Sequence, residues 1–132
     1  MDPLEHERFT GVGNVRILEN FRYLLGWKQE RDPSLGIWVR TPLIPNATAT
    51  EENICAIAKF LLSVEAVGQI DRWELCAFNN VCADKYKKLG TRWTMSGVPL
   101  MKQSQLEQIR QWICNTGFPE DKLIISGLAA EK

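Results

Sequence analysis

A chain of 132 residues, 45% hydrophobic and 24% charged, can bury one modest core and is too short for two domains. Sixteen basic and sixteen acidic residues cancel, so net charge gives no footprint for nucleic acid or an anionic membrane. No apolar run approaches the roughly 18 residues of a membrane span, and the N-terminal MDPLEHERF has no signal-peptide core; the cytoplasm is the expected location.

Asp2–Gly13 reads as polar and irregular. Asn14 then offers an N-cap, and Ile17, Leu18, Phe21, Leu24 and Leu25 recur with helical spacing up to Gly26, a terminator in the usual place. Trp27–Gly36 is a charged connection containing Pro33. Ile37–Ile44, IWVRTPLI, follows as a buried strand rich in branched and aromatic side chains. It delivers Arg40 towards its C-terminal end, and Pro42 should weaken pairing because it cannot donate to a ladder.

Behind the Pro45–Asn53 loop, Thr48 and Glu51 have capping-box spacing. Ile54, Ile57, Ala58, Leu61 and Leu62 then match the amphipathic helix template at every position. That helix ends near Val64, and Arg72–Phe78, RWELCAF, reads as a second buried strand. Strand, helix and strand with short links imply a parallel pair with a right-handed crossover.

Asn79–Gly90 becomes a short helix around Asp84–Leu89, and Thr91–Gln103 is an irregular arm. Ser104 and Glu107 suggest a second capping box, before a helix carrying Leu106, Ile109, Trp112 and Ile113 up to Gly117. Lys122–Gly127, KLIISG, is expected as a last short strand, and Leu128–Lys132 should fray. The alternation of helices and strands places the chain in the α/β class: a small parallel sheet of about three strands with helices packed on it. Parallel sheets are usually buried on both faces. This one has an edge without an evident partner, natural for part of a larger barrel.

The four cysteines, Cys55, Cys76, Cys82 and Cys114, lack C-x-x-C spacing and read as reduced structural thiols. The Lys85, Lys87, Lys88, Arg92 cluster reads as solvated surface. Trp38, Trp73 and Trp112 fall in strand or helix patterns and are expected in the core. Trp93, in the arm, is expected to be exposed and available to a partner.

Six stretches in order, GVGN (Gly11–Asn14), IWVRTPLIP (Ile37–Pro45), EEN (Glu51–Asn53), WEL (Trp73–Leu75), DKY (Asp84–Tyr86) and LG (Leu89–Gly90), resemble the C-terminal half of the radical S-adenosylmethionine activases of glycyl radical enzymes, such as the pyruvate formate-lyase activating enzyme. The resemblance runs from about Asp2 to the end. Trp27–Gly36 looks like an insertion relative to the pyruvate formate-lyase activase. The resemblance implies the C-terminal part of a partial (β/α) barrel. It also implies an activity: a [4Fe–4S] cluster cleaves S-adenosylmethionine reductively, and a 5′-deoxyadenosyl radical takes a hydrogen from a glycine of the partner enzyme. The family's C-x-x-x-C-x-x-C cluster motif is absent from these residues, so the chain by itself is expected to bind no iron and cleave no S-adenosylmethionine. The motif would belong to an N-terminal half, missing here through truncation, a fragmentary gene or an expressed domain, or carried on another chain.

Two positions carry over from the resemblance. Arg40 aligns with an arginine that ends a barrel strand and contacts S-adenosylmethionine; a guanidinium there can donate to a carboxylate or to ribose oxygens. From the residues alone, a strand-end arginine paired with a structural acid is the other reading. Asn79 aligns where the pyruvate formate-lyase activase has a cofactor-contacting histidine. Asparagine hydrogen-bonds but cannot titrate, which implies a different branch of the family. The single histidine, His6, reads as a local structural residue. No residue of the chain is assigned a catalytic or metal-ligating role. The alternative function is a non-catalytic α/β binding module that kept a docking face and lost the radical chemistry.

Overall fold

The computed structural model describes residues 1–127 and 129–130. The sequence stretch expected to be irregular opens instead with helix α1, Pro3–Thr10. Asp2 caps it: its Oδ1 accepts from the backbone N–H of Leu4 at 2.7 Å and of Glu5 at 3.2 Å. Pro3 takes the first helical position, where its missing N–H costs nothing. Gly11, at φ 82°, closes the helix in the left-handed conformation. No side chain of α1 is buried, so it lacks the apolar stripe by which helices are usually recognised.

Helix α2, Val15–Arg31, runs past Gly26 and absorbs part of the expected connection. A glycine inside a helix costs about 1 kcal/mol relative to alanine, and tertiary anchors on either side of it offset that. Leu25 is buried, and Lys28 Nζ donates to the Gln69 carbonyl at 2.7 Å. Asn14 stands at the N-cap without a capping bond; its buried carboxamide donates to the Met1 carbonyl at 2.9 Å.

Strand β1, Trp38–Leu43, leads through a turn to helix α3, Glu51–Ser63. The capping residue is Thr50, whose Oγ1 accepts from Asn53 N–H at 3.3 Å. Thr48, read as the cap, works one step earlier: its hydroxyl accepts from Ile44 N–H at 2.8 Å and donates to the Pro42 carbonyl, tying the loop. Strand β2, Arg72–Ala77, follows, then short helix α4, Ala83–Lys88. Helix α5, Gln103–Asn115, starts one residue before the expected cap Ser104. There the Gln105 side chain accepts from the Lys102 N–H at 2.8 Å. Strand β3, Leu123–Ser126, ends the ordered alternation. Ala130 N–H then bonds the Met101 carbonyl at 2.9 Å. The expected fraying elsewhere in the last five residues falls on positions 128, 131 and 132, outside the described residues.

The three strands are parallel in the order β1-β2-β3, so β2 is central. Pairing continues through Pro42, opposite Cys76, and Leu43, opposite Ala77. Proline is tolerated there because β1 is an edge strand. Alternation gives the sheet two unlike faces. One carries Thr41, Leu43, Trp73, Leu75, Ala77 and Leu123, all buried. These join Ile54, Ala58 and Leu61 of α3 and Leu106, Ile109 and Ile113 of α5 in one buried cluster. Each leucine and isoleucine among them contributes about 1.5–3 kcal/mol by leaving water. Within it, Trp73 is fully buried, donates Nε1–H to Thr41 Oγ1 at 3.0 Å and meets Phe118 edge-on at 5.2 Å.

The other face carries Trp38, Arg40 and Pro42 of β1, Arg72, Glu74 and Cys76 of β2, and Ile124 and Ser126 of β3. None of these is buried. The parity that buries Trp73 turns Trp38 outward, where it is 58% exposed, against the expectation that it joins the core. Trp93 departs in the opposite sense: it is half-buried, stacked between Phe78 at 6.2 Å and Tyr86 at 5.7 Å.

Candidate functional site

The open face gathers the polar chemistry of the sheet. Arg40 is the third residue of β1, in mid-strand rather than at its end. Register sets it directly opposite Glu74, and Arg40 Nε–H donates to Glu74 Oε2 at 2.8 Å. The two side chains differ in exposure, 62% for Arg40 and 13% for Glu74. The acid is the more enclosed member of the pair and the arginine the more exposed one. Ser126 faces the same carboxylate from β3. Its hydroxyl, and after it the charge of Arg40, hold the Glu74 carboxyl below the usual carboxylate range. The neighbouring Cys76, and after it Glu74, raise Arg40 further above its ordinary value, so the guanidinium stays charged throughout.

Towards the N-terminal end of the strands, the Arg72 guanidinium lies 3.2 Å from the centre of the Trp38 ring, a cation–π stack. Its Nε is buried without a hydrogen-bond partner among the described residues. Arg72 is thus committed to the indole, and Glu74 is left to Arg40.

Asn79 lies two residues beyond the end of β2 and is exposed. Its Oδ1 accepts from Val81 N–H at 3.3 Å, an Asx turn that starts the loop to α4. Arg40 and Asn79 do not touch. Glu74 to Ala77 spans three strand residues, about 10 Å, so Asn79 stands above the strand ends while Arg40 lies down the face. The partner that sequence reasoning missed is Glu74. Its signal was parity: Arg40 in IWVR and Glu74 in RWEL both point away from the apolar alternation.

His6 forms only local contacts, with its Nδ1 2.7 Å from the Val12 carbonyl oxygen and 3.1 Å from Thr10 Oγ1. Among the described residues no three His, Cys, Asp or Glu side chains gather to hold a metal ion. The residues present do not fit an iron–sulfur cluster, which needs cysteine thiolates in close array. A depression of about 540 Å³ lies on α2, lined by Tyr23, Gly26, Trp27, Glu30 and Arg31. It includes neither Arg40 nor Asn79. No helix among the described residues is long and apolar enough to cross a membrane.

No family model matches the chain. It is 36% identical over 103 residues to the isethionate sulfite-lyase activating enzyme of Oleidesulfovibrio alaskensis, covering 78% of this chain and 30% of that enzyme. It is 33% identical over 109 residues to the indoleacetate decarboxylase activating enzyme of Tractidigestivibacter scatoligenes, covering 83% of this chain and 32% of that one. The chain thus spans about a third of the length of the curated relatives it matches. A crystallised domain of pyruvate-formate lyase-activating enzyme from Bacteroides vulgatus shares the fold, with a TM-score of 0.65 at 24% identity over 96% of this chain and 62% of that one. The three-stranded parallel α/β architecture is that of the solved domain, and the sequence identities place the chain among the activating enzymes of glycyl radical enzymes.

Proposed function

We propose that residues 1–132 act as one domain, the C-terminal part of a cytoplasmic radical S-adenosylmethionine activase. In this reading the open sheet face is barrel interior, and the chain contributes cofactor-binding and partner-docking surface. The partner is a glycyl radical enzyme. The cluster-bearing half is on polypeptide outside this sequence, and supplies the electron for the radical step. Arg40 presents its terminal guanidinium nitrogens to the carboxylate or ribose oxygens of S-adenosylmethionine. Asn79, with its Oδ1 engaged by Val81, offers its amide protons at the mouth. The observation that carries the reading is Arg40: an exposed, permanently charged fork held on an otherwise uncovered sheet face.

The test is calorimetric titration of the chain with S-adenosylmethionine, beside Arg40→Ala and Asn79→Ala. The expected result is binding that Arg40→Ala abolishes and Asn79→Ala weakens. No binding by the wild-type chain, or binding indifferent to Arg40, overturns the reading. The second function, a non-catalytic docking module, would use the same open sheet face. Such a module gives no heat with the cofactor.

A further inference from the structure

We infer that Glu74 is the positioning residue of this site: it fixes the Arg40 guanidinium so that its two terminal nitrogens face the open sheet surface. The inference rests on the reading of Arg40 as a cofactor contact and adds to it the group that makes the contact specific.

An arginine on an exposed edge strand has four rotatable side-chain bonds, and ordering them costs rotamer entropy. That cost falls on ligand binding unless something orders the side chain beforehand. Glu74 is placed to do so. It stands on the central strand, between two hydrogen-bonded neighbours, and its side chain is only 13% exposed. Its Oε2 accepts from Arg40 Nε, and Cys76 lies beside the same guanidinium. A bond at Nε, rather than at the fork, sets the guanidinium plane without consuming the pair of donors that matches a carboxylate. The competing cation on the same strand, Arg72, is held over Trp38. Strand register makes the pair a geometric necessity, since Arg40 and Glu74 are direct cross-strand partners. The arrangement also has a cost. The Glu74 charge offsets that of Arg40 and lowers its long-range pull on an anion, so its value lies in orientation.

The experiment uses the 132-residue chain, S-adenosylmethionine as the probe, and four proteins: wild type, Arg40→Ala, Glu74→Ala and Glu74→Gln. Affinity is read by calorimetry, and the Arg40 Nε–H by its nitrogen-correlated proton resonance. Glu74→Ala is expected to weaken binding by roughly tenfold or more, the scale of a lost charge-assisted hydrogen bond. Its Arg40 Nε–H signal is expected to broaden into exchange with water. Glu74→Gln, which keeps an oxygen acceptor, is expected to restore both the signal and most of the affinity. A merely structural role for Glu74 predicts no such rescue. If Glu74→Ala binds as wild type while Arg40→Ala does not, the positioning role is overturned and the cofactor reading stands. If wild type does not bind, or Arg40→Ala binds equally, the cofactor reading falls and the inference falls with it. Should Glu74→Ala fail to fold, Glu74→Asp replaces it. That variant keeps the charge and withdraws the oxygen by one methylene; weaker binding supports the inference and unchanged binding overturns it.

Discussion

The two faces of one three-stranded sheet are built to opposite rules. On the covered face, successive inward residues are apolar and buried, and the one polar pair, Thr41 and Trp73, is joined by a hydrogen bond. On the open face the intervening residues of the same strands are arginine, glutamate, cysteine and serine with one isoleucine, Ile124, and an indole and a proline at the edge strand. A period of two lets six residues of backbone serve both purposes. Stability is concentrated on one side of the sheet and candidate chemistry on the other, so substitutions should separate cleanly by parity.

The largest effect is expected at the centre of the covered face. Trp73→Ala removes a fully buried ring and its contact with Phe118, and should cost about 3–5 kcal/mol in urea unfolding. Thr41→Val, on the same face, keeps the shape but strands the buried indole N–H. The expected loss is about 1–3 kcal/mol by the same measurement. Arg40→Ala, one residue away in sequence but on the other face, should move the urea midpoint far less than Thr41→Val does, because the side chain is exposed. A midpoint shift matching that of Thr41→Val would dissolve the comparison.

The smallest expected effect is in pH dependence. The Glu74 carboxyl titrates below its unfolded value, held down by Ser126 first and then by Arg40. Its stabilisation is therefore present above the unfolded pKa and is lost as pH falls through the folded one. Wild type and Glu74→Gln should differ in stability at neutral pH and converge at acid pH, below the ordinary value of 4.5. A difference that does not shrink as pH falls through the folded-state pKa would assign the effect to packing rather than charge.

Much of the fold was legible because burial writes itself as periodicity. Ile54, Ile57, Ala58, Leu61 and Leu62 placed α3 with little ambiguity, and the β1–α3–β2 order implied the parallel pair that the register now shows. Helix α1 was not legible by that route, since it buries nothing; Asp2, Pro3 and Gly11, its end signals, hold it. Gly26 misled because local propensity stops a helix only where tertiary contacts do not carry it on, and Leu25 and Lys28 do. Trp38 misled because residue type suggested a core place that strand parity forbids. On the open face, Arg40 was singled out by resemblance to the family's motif. Its partner Glu74 was not, because that contact links positions 34 apart in sequence through a register fixed only when the sheet forms.

Trp38 carries one further consequence. It is 58% exposed on the open face, whereas Trp73 has no contact with water at all. The protein therefore contains its own optical contrast. Light emitted by Trp38 reports on the uncovered surface, with a polar environment and access to dissolved quenchers, while Trp73 is silent to both. With Trp27, Trp93 and Trp112 replaced by phenylalanine, whatever comes to lie on that surface, nucleoside or polypeptide, is expected to dim or blue-shift the first emitter and leave the second unchanged.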